Sequence, residues 1–324
     1  RSLAALLHGF RSFDASVRIG GVVLNRVGSA RHEQICRDAC AEVGLPVLGA
    51  LRRDDALAVP SRHLGLVTAA EHAAASEVVA RWGDAVAAQV DLDAVAALGT
   101  VVSLGRAWPA EPRWEPAEEV APVPGAPVIA VAAGPAFTFG YPEHAELLAA
   151  AGAVVAPFDP LRDESLPPGT AGMVLPGGFP EEHAAELSAN APLRAEVTAL
   201  ARSGAPVHAE CGGLLYLCRA LDGAPMCGVL DAEAVMTSRL ALGYRDAVAL
   251  RGSVCHPEGA RVSGHEFHRT VVTPRAGAPA WAWSGAEPEG FVQGKVHASF
   301  LHTHPAGNPG AVARFVANCT KGES

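Results

Sequence analysis

At 324 residues, with 49% hydrophobic and 18% charged side chains, the chain has room for about two domains and enough apolar matter to fill their cores, which excludes wholesale disorder. A net charge of −9 and a pI near 5.8 speak against a nucleic-acid-binding surface. The cysteines are odd in number and scattered, which suits reduced thiols in a cytoplasmic protein better than a disulfide framework; no Cys-x-x-Cys pair points to structural zinc, and no apolar run is long enough for a membrane span.

Residues 18–24 read as a buried strand that stops at the turn Asn25-Arg26-Val27-Gly28-Ser29. A helix follows over about 32–43, with Cys36 and Cys40 one turn apart on one face; with no second ligand pair in sight, core packing accounts for them better than a metal. A short strand at 45–48, then the run 62–67 ahead of a helix over about 68–82, continues a strand–helix alternation, the mark of a parallel α/β sheet. The composition then changes. Pro109, Pro112, Pro116, Pro122, Pro124 and Pro127 resist helix and sheet alike, so residues 99–126 read as a linker between a first domain, 1–98, and a second, 127–324. In the second, strands at 128–132, 153–157 and 172–175 alternate with helices at about 142–151 and 192–202. A last short strand runs into Cys211. A doubly wound sheet binds ligands at the carboxyl ends of its strands, where Cys211 and the Gly177-Gly178 turn both fall.

The stretch His208-Ala209-Glu210-Cys211-Gly212-Gly213-Leu214 has the form of a nucleophile elbow. A sharp strand-to-helix turn needs residues without side chains beside the nucleophile, because neighbouring N–H groups must approach the substrate. Cys211 is the candidate nucleophile; the alternative is an inert, packed thiol. Pro176-Gly177-Gly178-Phe179-Pro180-Glu181 follows a strand, and the N–H groups of Gly178 and Gly212 are candidates for an oxyanion hole, with Gly177 beside them. The base must be a histidine. Residues 297–305 read as a strand whose end presents His302, with His304 two positions on and on the same side as a candidate accessory residue. His256-Pro257-Glu258 lies in a Gly- and Pro-rich turn and is set aside as base.

Those motifs, together with Ala136-Phe137-Thr138-Phe139, Phe158-Asp159-Pro160-Leu161, Gly264-His265-Glu266-Phe267-His268 and Ser299-Phe300-Leu301-His302-Thr303-His304, resemble the amidotransferase half of the cobyrinate (hydrogenobyrinate) a,c-diamide synthase family. Upstream, Gly21-Val22-Val23-Leu24-Asn25-Arg26-Val27-Gly28-Ser29 and Arg62-His63-Leu64-Gly65-Leu66-Val67 resemble the end of that family's ATP-binding domain. The implied fold is α/β with two parallel-sheet domains: a partial P-loop-type, dethiobiotin synthetase-like domain, then a class I glutamine amidotransferase-like domain. The implied activity is a carbon–nitrogen ligase. Cys211, made a thiolate by His302, takes ammonia from L-glutamine, and ATP with Mg2+ activates the a and c acetate carboxylates of the corrinoid substrate. A homodimer is a candidate assembly.

The resemblance leaves three matters open. No acid after His302 stands where related amidotransferases carry the third member of their triad. Asn25 is a candidate contact to the nucleotide base, or equally a cap on a strand-to-loop turn. No Gly-x-x-x-x-Gly-Lys-Ser/Thr loop occurs, the only lysines are Lys295 and Lys321, and the chain holds no metal ligands by this reading. The family's phosphate loop and magnesium ligands would then precede Arg1. The expectation is a chain that hydrolyses glutamine without amidating a corrinoid, and ATP-dependent diamide formation by this chain alone would overturn it. Related readings are cobyric acid synthase, nickel-sirohydrochlorin a,c-diamide synthase, a stand-alone cysteine glutaminase, or a non-catalytic binding module.

Overall fold

The structure is a computed structural model that describes residues 2–59, 67, 71, 75–99 and 120–320. Contacts divide the chain into two units, Arg1–Arg113 and Trp114–Ser324. Residues 62–66 of the run expected at 62–67, and most of the Pro-rich stretch, 100–119, lie outside the described residues.

The first unit opens with α1 (Ser2–Phe13) and β1 (Val22–Val27), followed by α2 (Ala30–Glu42) and β2 (Val47–Arg52), which pairs with β1 in parallel. Helix α2 begins two residues earlier than its apolar pattern suggests, because the Ser29 side chain accepts the His32 N–H and caps it. Helices α3 (Ala75–Gln89) and α4 (Leu92–Leu98) follow, the latter capped by Asp91. Leu24, Val27, Ala50 and Cys40 form the core, and Cys36 packs against it. The cysteine face of α2 therefore looks inward.

The second unit is built on a six-stranded sheet. Its strands are β3 (Val128–Ala132), β4 (Val154–Phe158), β5 (Thr170–Leu175), β6 (Val207–Glu210), β12 (Phe291–Gln293) and β13 (Val296–Ser299), in the order β12-β13-β6-β5-β3-β4. All neighbours are parallel except β12 with β13. Helix α5 (Pro142–Ala150) crosses between β3 and β4, and α6 (Ala184–Ala189) and α7 (Ala191–Arg202) lie between β5 and β6. Helix α8 (Gly212–Leu217) follows β6, and α9 (Pro309–Cys319) closes the chain. Successive strand residues face opposite ways. Met173 and Ala209 join Leu193, Val197 and Leu214 in one core, while Ile129 and Val174 join Leu147, Leu148, Phe315 and Val316 in another. Each such leucine or phenylalanine taken from water contributes about 1.5–3 kcal/mol.

Inserted between α8 and β12 is a second, mostly antiparallel sheet. After the short strands β7 (Ala220–Leu221) and β8 (Ala224–Pro225), the long β9 (Glu233–Ala249) and β10 (Arg261–Thr273) form a ribbon, with β11 (Trp281–Ala282) on β9. The motif Gly264 to His268 lies within thirteen-residue β10. Among the described residues no helix is long and apolar enough to cross a membrane.

Strand β5 and helix α8 approach so closely that a Cβ at Gly213 would lie 2.2 Å from the Leu175 carbonyl oxygen. We expect Gly213→Ala to cost about 1–3 kcal/mol by overpacking, read as a lower urea midpoint in circular dichroism; an unchanged midpoint would contradict this account of the contact.

Candidate active site

Strand β6 delivers Cys211 to the point where the sheet ends and α8 begins. Its backbone is strained there, at φ 46° and ψ −97°, a conformation that L-residues with a side chain rarely hold without surrounding support. The support is visible: the Cys211 N–H donates to Ser299 O at 2.7 Å across β13, and the Cys211 carbonyl accepts the Leu215 N–H at 3.1 Å within the first turn of α8.

The Pro176-Gly177-Gly178 turn presses against this bend. A Cβ on Gly212 would fall 2.8 Å from the Gly178 nitrogen, and one on Gly177 would fall 2.5 Å from Cε1 of His302. Side chains are excluded because the backbone and the imidazole already occupy the space. Gly213 N–H donates to Pro176 O, and Phe179 N–H to Ala136 O. The N–H groups of Gly178 and Gly212 donate to no acceptor among the described residues, so they are available to a third party.

His302 is brought to Cys211, though by a different route from the one the sequence suggested. Strand β13 ends at Ser299, because the Leu301 N–H turns back to Ser299 Oγ at 2.8 Å. His302 sits three residues beyond and is held by β10: its N–H donates to His265 O at 2.9 Å and its carbonyl accepts the His265 N–H at 3.0 Å. The two rings stack with centroids 5.0 Å apart and 12° between planes. His302 interacts electrostatically with Cys211 and faces Glu210, with Nδ1 3.7 Å from Oε2. Burial opposes charge on this ring, but Cys211 and then Glu210 outweigh it and raise His302 to about 10. The result is an imidazolium poised between a sulfur and a carboxylate.

Glu210 is the residue that reading along the chain missed. The acid does not follow His302; it stands immediately before the nucleophile. Its Oε1 accepts the Thr303 N–H at 3.1 Å and the Thr303 hydroxyl at 3.0 Å, and lies 3.4 Å from Nε2 of His208. Burial alone would raise its pKa, yet His208 and His302 hold it well below the usual carboxylate range. The available signal was a charged residue inside a strand covered on both faces, which must have partners.

His304 does not join this group. It is exposed, its Nδ1 accepts the Ala306 N–H at 3.3 Å, and its ring lies against Tyr141 with centroids 4.4 Å apart. His256 is buried and packs against Trp281 and His297. In the first unit, Asn25 stands exposed at the carboxyl end of β1, its Oδ1 accepting the Arg26 N–H at 2.8 Å. It lines a cavity of about 620 Å³ with Arg26, Arg52, Arg53, Trp82 and Gln89. Among the described residues no cluster of three or more His, Cys, Asp or Glu side chains could hold a metal ion.

A Cys–His pair at a strand-to-helix elbow, with free N–H groups beside it and an acid behind the histidine, is equipped for acyl transfer through a thioester. Sequence comparison agrees with that chemistry. The pattern of a CobB/CobQ-like glutamine amidotransferase domain matches residues 128–309, and that of a CobQ/CobB/MinD/ParA nucleotide binding domain matches residues 1–67. The chain is 54% identical to the hydrogenobyrinate a,c-diamide synthase of Streptomyces coelicolor over 98% of its own length and 72% of that protein's. It belongs to the a,c-diamide synthase family. The hydrogenobyrinate a,c-diamide synthase of Mycobacterium tuberculosis is also 54% identical, over 98% of this chain and 69% of its own. The cobyrinate a,c-diamide synthase of Gloeobacter violaceus is 43% identical over the same shares.

The imidazolium has a consequence for stability. A histidine raised from 6.5 to about 10 on folding contributes stability that is fully present below pH 6.5 and is lost as pH rises through 10. We expect His302→Gln to flatten the decline of the urea midpoint between pH 7 and 10, and a decline as steep as in the unaltered protein would contradict the charge assignment.

Proposed function

We propose that the second unit hydrolyses L-glutamine and that the ammonia is used to amidate the a and c acetate carboxylates of hydrogenobyrinate or cobyrinate. The observation that carries the reading is the Cys211–His302–Glu210 line at the elbow. Family membership supports the choice of substrates.

In this reading the Cys211 sulfur adds to the γ-carboxamide carbon of glutamine. The oxygen takes the charge and is received by the N–H groups of Gly178 and Gly212. His302 gives its proton to the departing nitrogen as the carbon–nitrogen bond breaks, leaving ammonia and a glutamyl thioester. The ring, now neutral, takes a proton from water as it attacks the thioester; glutamate leaves, and thiolate and imidazolium are restored. Glu210 keeps Nδ1 turned toward itself, so that Nε2 serves the reacting atoms. His304, exposed and packed against Tyr141, contributes to the shape of the site mouth.

ATP is the proposed energy source, activating each carboxylate for attack by ammonia. The cavity at the ends of β1 and β2 supports a nucleotide site in the first unit, since it combines arginines, the Asn25 amide and the Trp82 ring. Mg2+ would accompany ATP, but the described residues offer it no cluster of ligands. A cytoplasmic location and a homodimer complete the proposal.

The purified protein should release ammonia and glutamate from glutamine, and Cys211→Ala should lower the rate by about three orders of magnitude or more. Equal rates in both would remove the thioester route. Mass spectrometry of products formed by the full-length protein, rather than by this chain alone, from glutamine, ATP and either hydrogenobyrinate or cobyrinate should show two carboxyl-to-amide conversions with the true substrate; conversion of neither would remove the corrinoid assignment.

A further inference from the structure

Glu210 is held from two sides, and only one of them belongs to the reacting pair. On the other stands His208, two residues back on β6 and therefore on the same face of the sheet. Its Nε2 lies 3.4 Å from Glu210 Oε1, and its Nδ1 lies 3.4 Å from the sulfur of Cys255, which comes from the loop between β9 and β10. Cys255, His208, Glu210, His302 and Cys211 thus form one buried line, a thiol and an imidazole on each side of a single carboxylate.

We propose that His208, backed by Cys255, is a positioning residue for the glutaminase step: from the side away from the reacting sulfur it keeps the Glu210 carboxylate aimed at His302. The proposal rests on the reading of Cys211 and His302 as the reacting pair.

The surroundings favour this over a merely space-filling histidine. Facing His208 are His144 of α5 with ring centroids 6.0 Å away, His297 of β13 at 5.6 Å, and the Phe315 ring of α9 at 6.4 Å. Cys255 comes from the β9–β10 loop, where His256 packs on His297, and Glu210 lies on its own strand. Burial, followed by the charge on His208, lowers His144 and His256 to about 4 and His297 well below its usual value, so these three rings are neutral near pH 7. His208 goes the other way. Burial opposes its charge, but Cys255 and Glu210 raise it well above the ordinary range. One ring in a group of four carries the charge, and it is the one in contact with Glu210. Thr303 supplies two neutral donors to the same oxygen, and His208 adds a charged contact that, together with them, holds the carboxylate in the direction of His302. The adjoining cavity, about 30 Å³, admits roughly one water, too little to replace a lost cation by bulk solvent.

Without His208, Glu210 turns less reliably toward His302 and so supports the imidazolium less well. His302 then gives up its proton at lower pH, and the alkaline limit of activity moves down. We expect His208→Leu to lower kcat for glutamine hydrolysis about tenfold, to leave KM within about twofold, and to shift the alkaline limit down by about one pH unit. His208→Gln, which can donate to Glu210 without charge, should recover part of kcat while leaving the limit shifted. Cys255→Ser should shift the limit in the same direction by less, and carries the test with His208→Gln if His208→Leu does not fold.

The measurements are kcat, KM, the pH profile of ammonia release and the pH dependence of Cys211 alkylation by iodoacetamide. An alkaline limit unmoved in every folded variant overturns the proposal, whether kcat is unchanged or kcat, KM and Tm fall together. Cys211→Ser separates the two readings: full hydrolysis in that variant overturns the site assignment itself. Hydrolysis lost in Cys211→Ser beside an unmoved limit in the His208 variants overturns only the role of His208.

Discussion

The site depends on a carboxylate placed where no water can reach it freely. An ionised Glu210 in that interior is tolerable only because two imidazoles and the Thr303 donors surround it. The same requirement orders its neighbours. His302 cannot swing toward solvent without leaving Glu210 exposed to an apolar interior, and Thr303 is tied to the same oxygen, so the chain after β13 is drawn back over the end of β6. Catalytic geometry and the satisfaction of a buried charge are one constraint here.

Around that charge the backbone is packed closely enough that Gly177, Gly178 and Gly212 are spacers as much as turn formers. Their missing side chains let the imidazole, the elbow and the Pro176 turn share a volume that one methyl group would disturb. The strain at Cys211 is offset by bonds from both sides, from Ser299 through its N–H and from Leu215 through its carbonyl. An interior carboxyl lies under this support: Glu289 accepts the Ser299 hydroxyl and the Phe300 N–H, and burial raises it to about 7. The segment carrying the base is anchored at Ser299 before it reaches His302.

What the sequence made legible was local. The glycines beside Cys211, the alternation of the parallel strands and the proline-rich change of composition each follow from chemistry within a few residues, and β3, α5, β4, β5 and α7 lie within two residues of their expected bounds. What it hid was tertiary. Glu210 looked like part of a strand until the fold set it against His302, ninety-two positions away. The ribbon of β9 and β10 escaped notice because both its faces are partly exposed, so no period-two alternation marks it, and Gly264 interrupts what pattern there is. His302 itself was legible, but its strand was not: the turn-back of Leu301 onto Ser299 ends β13 early and hands the histidine to β10.

That hand-over divides responsibility for the site between two kinds of structure. The sulfur is borne by the central sheet through β6, which is buried on both faces, whereas the imidazole is moored through His265 to an antiparallel arm with solvent along much of its length. Elements of the second kind open more readily than those of the first. Fraying of the arm at His265 would part base from nucleophile while every strand of the main sheet stayed paired, so the chemistry of this protein is bounded by the steadiness of that hairpin.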